Sequence, residues 1–461
     1  MAHDPALRDE LVAMVTTELE AADAFFEAVA ADPALESGLE GLLAGPVTPL
    51  IAALPGWDEA PPEANPLLAV NARNVERIGA IVEADGWPGL RRVGANGADA
   101  AWLLAQHADR ANGRRRSWLP TLAEAVDRGE ADPRHLATLT DRIAAVDGER
   151  QRFGTIVLRA ADGEVEFPLP VDAPAELERR RAEIGLVPLS AERPYLGEGD
   201  LVPFGPDRSD IPVNQWPILL EGHVSVEAAL EAGVRRVHRV WAVRPGDRRH
   251  GRLRALARER GVTIDAVPAD EIEALAVGRT HGGVIAPVAP RIERTFDSVL
   301  ARMGEGSLAV MLDGIEDPFN YGQAVRALYA AGVAGVVVRR SWETATATVT
   351  RASAGTAELM PTARVASVAE ASELARAHRY RVVCAVSDPL APALDEVDLS
   401  GGVLLLVGGE RRGVTRSSLD EADQLVRIAY GRERSPALGT ATSAAILAFE
   451  ALRQRRATRE G

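Results

Sequence analysis

Residues Leu312 to Val338 read LDGIEDPFNYGQAVRALYAAGVAGVVV, and the reading of this stretch decides the fold. It opens on the end of an apolar run, LAVMLDGI, which predicts a strand ending at Asp313. A proline-containing turn follows, and a helix is predicted to start near Tyr321. The chain then returns through VAGVVVR, a second strand apolar without alternation. Such strands are buried on both faces, and strands separated by helices predict a parallel sheet covered on both sides. Asn320 falls at the predicted N-cap, where its side chain accepts a backbone N–H. Arg326 lies six residues on, on a helix otherwise apolar or small. Read structurally, the two are a capping asparagine and a surface arginine. Read functionally, both sit at the carboxyl end of a parallel sheet, where ligands bind in such folds, and the planar fork of Arg326 suits a phosphate.

Downstream the alternation continues. SVAEASELARAHR predicts a helix, YRVVCAV a strand, and GVLLLVGGERRGV, Gly402 to Val414, a strand running into Gly408, Gly409, Glu410 and Gly413. Glycines at a strand's carboxyl end let backbone approach a ligand closely. A buried carboxylate at Glu410 requires a partner, for which an arginine is the obvious candidate. In VRIAYGRERSPALGTATSAAILAFEAL, Val426 to Leu452, a strand is predicted to end at Ile428 and a helix to begin after Leu438. The small residues Gly439, Ala441, Ser443 and Ala444 permit close helix packing there.

Upstream, four segments are expected: residues 1–190 mostly helical, a Pro/Gly/Asp-rich linker over 191–212, a compact α/β unit over 213–290, and the sheet domain over 293–461. In the first, LRDELVAMVTTELEAADAFFEAVA and NVERIGAIVEADG carry apolar residues at helical spacing, and Gly86, Gly129 and Gly148 fit helix C-terminal caps. TIVLRAADGEVEFPL reads as a hairpin across Asp162-Gly163. In the third, VHRVWAV, VTIDAVP and HGGVIAPV are strands around the basic helix GRLRALARERG.

Composition narrows the class. With 461 residues, 46% hydrophobic and 26% charged, the chain can bury several cores. No stretch approaches the ~20 unbroken apolar residues of a membrane span, and the acidic start MAHDPALRDELVAM is unlike a signal peptide. A cytoplasmic location is expected. One cysteine, Cys384, leaves no disulfide framework and no cysteine-based zinc site. The net charge of −15 is uneven. Residues 1–200 hold 35 acids and 19 arginines, net −16, whereas 201–291 are net +2 and 292–461 net −1.

Taken in order and spacing, the three constellations resemble the sequence motifs of the SpoU/TrmH family of RNA methyltransferases, within the SPOUT superfamily. Asn320 and Arg326 match its first motif; Gly408, Glu410 and Gly413 match the G-x-E-x-x-G turn of its second; Ile428 and Leu438 match its third. In that third motif the family's Asn is Gly439 here and its second Ser is Ala441. Residues from about 213 resemble the ribosomal-protein-like RNA-binding domain that many members carry, with Arg252, Arg254, Arg258 and Arg260 suited to RNA backbone. The first 200 resemble a bacterial domain family without assigned function, most distinctively at His107 and at Gln151, Arg152, Phe153, Gly154 and Thr155.

The resemblance implies an α/β fold whose C-terminal segment threads a trefoil knot. It implies S-adenosyl-L-methionine held by backbone at Gly408, Ile428 and Leu438, and catalytic roles for Arg326, Asn320 and Glu410. It also implies a homodimer, an rRNA or tRNA substrate methylated at a ribose 2′-hydroxyl, and no metal. The rival expectation, motivated by Gly439 and Ala441, is an RNA-binding protein that kept the fold and lost catalysis.

Overall fold

The computed structural model describes residues 3–30, 66–108, 111–156, 158–159, 165–166, 170–184, 186, 218–278, 280–289, 291, 294–304, 306–339, 344, 346–409, 413–432 and 438–460. The linker predicted over 191–212 lies outside them. The chain divides into two compact units, Met1–Pro217 with Ala266–Val277 and Pro287–Pro290, and Ile218–Asp265 with Gly278–Ala286 and Arg291–Gly461.

In the first unit five helices, α1 (Pro5–Ala30), α2 (Pro66–Asp85), α3 (Leu90–Gln106), α4 (Asn112–Asp127) and α5 (Pro133–Val146), bury Leu11, Ile78, Leu104, Leu122 and Leu139 in one core. The predicted caps hold: Gly86, Gly129 and Gly148 all take positive φ just past a helix. Asp132 caps α5, accepting the Arg134 N–H at 2.8 Å. Strands β1 (Leu158–Arg159) and β2 (Val165–Glu166) pair antiparallel as the hairpin reading requires, and α6 spans Leu177–Glu183.

The distinctive run from Gln151 to Thr155 is held by a residue the sequence did not single out. Asp141, fully buried on α5, accepts the backbone N–H groups of Arg152 (2.7 Å), Phe153 (3.0 Å) and Thr155 (2.9 Å) and the Thr155 hydroxyl (2.9 Å). Asp141→Ala leaves these donors facing a void and is expected to cost the unit about 3 kcal/mol or more. Thermal unfolding of the full chain checks this; an unchanged first transition contradicts it. His107 packs its Nδ1 against the buried carboxylate of Glu18, which also accepts Asn74 Nδ2 at 2.7 Å.

The second unit contains two sheets. The smaller has the order β3-β6-β4-β5, from β3 (Ile218–Glu221), β4 (Val240–Ala242), β5 (Ile264–Ala266) and β6 (Val284–Val288). Its helices are α7 (His223–Ala232) and α8 (Gly251–Glu259), while α9 (Ala269–Leu275) falls in the first unit. The larger sheet has six strands in the order β12-β10-β11-β7-β8-β9: β7 (Leu308–Asp313), β8 (Gly335–Arg339), β9 (Thr362–Val365), β10 (Arg381–Ala385), β11 (Val403–Gly408) and β12 (Gln424–Val426). Every neighbouring pair in it is parallel. Around it lie α10 (Phe296–Leu300), α11 (Pro318–Ala330), α12 (Ala347–Ala352), α13 (Thr356–Leu359), α14 (Val368–Ala377), α15 (Arg416–Asp420) and α16 (Thr440–Glu460). The continuous apolar strands are divided by the pleat. Leu308, Val310, Leu312, Val336 and Leu405 face a core with Leu328 and Leu447, while Ala309, Met311, Val337, Leu404 and Leu406 face Phe296, Ala371 and Ala375.

Two boundaries differ from expectation. Helix α11 begins at Pro318 with Asp317 as its N-cap, so Asn320 lies inside the first turn rather than at the cap. Proline favours the first helical position because its missing N–H needs no partner there, and Asp317 accepts the Phe319 N–H at 2.7 Å. The strand expected to end at Ile428 ends at Val426, where the chain leaves the sheet edge and Arg427 bridges Ala393.

Within this unit the two sheets are joined by buried charge. Arg235 engages Glu358 through both ends of its fork, and neither side chain is exposed. Arg351 pairs with Glu221 at 2.5 Å. Burial pushes the Glu358 pKa up, but the Arg235 charge and hydrogen bonds outweigh it and hold the carboxyl below its ordinary 4.5. Stability from a carboxylate whose pKa falls on folding is whole above the unfolded value and is lost as pH drops through the folded one. The unit should therefore weaken progressively below pH 4.5. Urea midpoints at successive pH values test this: Glu358→Gln should flatten the slope, and equal slopes in both proteins contradict the assignment.

Candidate active site

Strand order reverses between β7 and β11: the chain runs outward from β7 to β8 and β9, then crosses to lay β10, β11 and β12 on the other side. Ligands in open parallel sheets bind at such a switch point, outside the strands' carboxyl ends. The first and second constellations meet there, with Asp313 and Gly408 register partners at the ends of adjacent strands.

Glycine is required at this crossing. A Cβ on Gly409 would stand 1.8 Å from the Gly314 carbonyl oxygen, and one on Gly408 would stand 2.2 Å from the Gly413 backbone carbon. Gly314 and Gly413 take φ of 81° and 61°, the left-handed region where side chains are strained. The turn closes on itself as Gly413 N–H donates to the Gly409 carbonyl at 3.1 Å. Glu410, in the middle of this turn, lies outside the described residues.

The third constellation reaches the same place through a residue not singled out in the sequence. Thr440, the first residue of α16, donates its hydroxyl to the Gly408 carbonyl at 2.9 Å. Ile428 is half-buried against the core of this face, and Leu438 offers its N–H to the Tyr430 hydroxyl at 3.4 Å. Ala444 is fully buried, in keeping with close packing of α16, whereas a Cβ on Gly439 would meet no atom within 4 Å.

Asp313 ties the loops together. Buried at the tip of β7, it accepts Arg339 Nε at 2.5 Å from the end of β8, and the hydroxyls of Thr415 at 3.1 Å and Ser418 at 3.3 Å from the start of α15. The bond to Asp313 raises the Arg339 pKa further. A sequence signal existed only in the position of Asp313 at a strand's end; nothing marked Arg339, Thr415 or Ser418 as its partners. Cys384, on β10, is buried and its thiol is pushed up to about 12, first by burial and then by Asp313. It is therefore inert as a nucleophile.

Asn320 is half-buried and Arg326 exposed on α11, and among the described residues neither side chain has a hydrogen-bond or ion-pair partner. With Asp317 doing the capping, the structural reading of Asn320 falls away. In the smaller sheet domain the basic set divides. Arg252 pairs with Glu231, while Arg254 and Arg260 donate to backbone carbonyls of Pro245 and Glu231. Arg258 remains exposed without a partner among the described residues, as do Arg244 and Arg248, which sequence reasoning missed because they lie in the β4–α8 connection.

Residues 307–449 match the SpoU rRNA methylase family, and 219–293 match the RNA 2′-O ribose methyltransferase substrate-binding family. The 23S rRNA (guanosine-2′-O-)-methyltransferase RlmB of Pseudomonas syringae pv. tomato is 33% identical over 241 residues, 51% of this chain and 95% of that protein. The chain belongs to the SpoU family. RlmB of Pasteurella multocida is 31% identical over 239 residues, 50% of this chain and 96% of that one. A crystal structure of the SpoU methyltransferase AviRb from Streptomyces viridochromogenes aligns at 25% identity and TM-score 0.45, covering 53% of this chain and 91% of that one. As a family member the chain is an S-adenosylmethionine-dependent RNA ribose 2′-O-methyltransferase. Residues 50–198 match a family of unknown function (DUF6624), as the N-terminal resemblance implied.

Proposed function

We propose that the chain methylates a guanosine ribose of 23S rRNA, with Arg326, Asn320 and Glu410 at the reacting centre and the cofactor held at Gly408, Ile428 and Leu438. The observation that carries this reading is the glycine crossing at the end of β7 and β11. There two glycine turns pack backbone on backbone at the carboxyl ends of the strands, and the helix that follows β7 bears an asparagine and an arginine without partners among the described residues. Such a cradle suits a ligand held by main-chain N–H and C=O groups, and the names of the RlmB relatives supply the RNA. S-adenosylmethionine, when bound, supplies the electrophilic methyl group.

The residues do the rest. A ribose hydroxyl is a poor nucleophile until it sheds its proton, so it must be aligned and its proton accepted. Arginine is too basic to act as the base. Arg326 instead grips an RNA phosphate, which fixes the hydroxyl and places a phosphate oxygen to take the proton. Arg244, Arg248 and Arg258 hold RNA backbone further out.

The same reading takes in the trefoil knot, formed as the segment through Ile428 and Leu438 passes into α16. It also takes in a homodimer. Phe319 and Tyr329 on α11 and Ile446 and Phe449 on α16 are 37–51% exposed, an apolar face that a second copy would cover. Domain limits of 1–190, 191–212, 213–290 and 293–461 and a cytoplasmic location complete it. No helix among the described residues is long and apolar enough to cross a membrane.

Calorimetric titration with S-adenosylmethionine is the first test, since it needs no RNA. Micromolar binding at one site per chain or per dimer supports the cradle, and methyl transfer to unmethylated 23S rRNA then tests the substrate. Binding without transfer to that RNA would redirect the search to other RNAs. Absence of binding, with or without RNA, would overturn the assignment of the cradle at Gly408, Ile428 and Leu438.

A further inference from the structure

The buried charges between the two sheets of the second unit lie on a continuous path to Arg326. Arg235, in the connection after α7, donates Nε to Glu358 Oε2 at 2.9 Å, and its second nitrogen engages Oε1. Glu358 Oε1 also accepts the Thr350 hydroxyl at 2.8 Å, which joins α13 to α12. Helix α12 in turn lies against α11 so closely that a Cβ on Gly322 would stand 2.6 Å from the Ala352 Cβ and 2.9 Å from the Val349 carbonyl oxygen. Arg326 is one turn beyond Gly322 on that helix.

Two further contacts hold the same seam. Gly355, at φ 85°, would bring a Cβ to 2.6 Å from the Ala228 Cβ on α7, and Arg351 on α12 pairs with Glu221 at the end of β3. Backbone-to-backbone packing of this kind transmits displacement, because close-packed interiors leave no slack to absorb it. A buried, two-bonded arginine–carboxylate pair fixes orientation as well as distance. Apolar contacts alone would allow sliding.

We infer that Arg235 and Glu358 are positioning residues: by locking the RNA-binding domain onto α12 and α13 they set the place of α11 and so of Arg326 relative to bound RNA. The inference rests on the proposed role of Arg326. The domain is then more than an affinity tag for RNA, because its seating adjusts the reacting centre.

The test uses the full chain with Arg235→Ala, Arg235→Lys and the near-isosteric Glu358→Gln. Arg235→Ala is expected to bind S-adenosylmethionine within twofold of wild type, to lose about tenfold in kcat at saturating 23S rRNA transcript, and to take up deuterium faster across residues 319–330. Arg235→Lys, which keeps the charge and loses the fork, should fall between. A rise in KM with kcat and exchange unchanged would overturn the proposal, since the pair would then serve RNA affinity alone. If Arg235→Ala fails to fold, Glu358→Gln is judged by the same readouts. A wild-type protein inactive on the transcript speaks against the proposed substrate, while exchange at 319–330 still decides the coupling.

Discussion

Arg326→Ala is expected to lower methyl transfer at saturating RNA by about a hundredfold or more and to leave S-adenosylmethionine binding unchanged. The separation follows from where the side chain sits. Arg326 is exposed on α11, whereas the proposed cofactor contacts are backbone groups at the end of β11 and beyond β12. Its removal takes away no packing and leaves no buried charge, so the fold has no reason to fail. What the proposed mechanism loses is the grip on phosphate that aligns the hydroxyl. Arg326→Lys should recover only part of the rate, because an ammonium holds phosphate as a point charge rather than through a planar fork. Wild-type turnover in the alanine variant, by transfer of labelled methyl to RNA, would sink the role assigned to Arg326.

Gly409→Ala should show the opposite pattern, abolishing cofactor binding and with it all transfer. The added methyl has no place: 1.8 Å from the Gly314 carbonyl oxygen, it forces the β7 and β11 loops apart. The three nearest atoms all belong to the Gly314 backbone, so no side chain can swing aside, and repulsion of this kind typically costs several kcal/mol. The displaced turn carries Gly413 and the Thr440 contact to Gly408, which opens the cradle from two sides. Titration with S-adenosylmethionine together with a melting curve measures both parts. Binding within threefold of wild type would mean the crossing is not where the cofactor sits.

Much of this was legible in the chain itself. The strands of the large sheet could be read because a strand buried on both faces must be apolar at every position, as VLLLV and GVVV are. Helix caps in the first unit could be read because positive φ demands glycine. The spacing of Asn320 to Arg326 and of Gly408 to Gly413 was visible because each pair lies within one local element, a helix or a turn. The start of α11 was misplaced by a few residues, since Asp317, Pro318 and Asn320 all carry capping signals and only the folded backbone selects among them.

The tertiary structure decided whatever depends on residues distant in the chain. That Asp313 gathers Arg339, Thr415 and Ser418 spans 26 to 105 positions. That Asp141 organises the run from Gln151, and that Glu358 waits for Arg235 across 123 positions, has no local periodicity to announce it. Even the fate of single arginines was beyond the sequence: Arg252, Arg254 and Arg260 are spent within their own domain, and Arg258 is left exposed. The sequence by itself determined the sheet class and the motif order, because these rest on burial and backbone constraints acting over a few residues; the cofactor followed from the family resemblance those motifs carry. Which polar groups meet, and which are left to meet RNA, was decided by the packing of elements far apart in the chain, since hydrogen bonds and ion pairs act over ångströms in space.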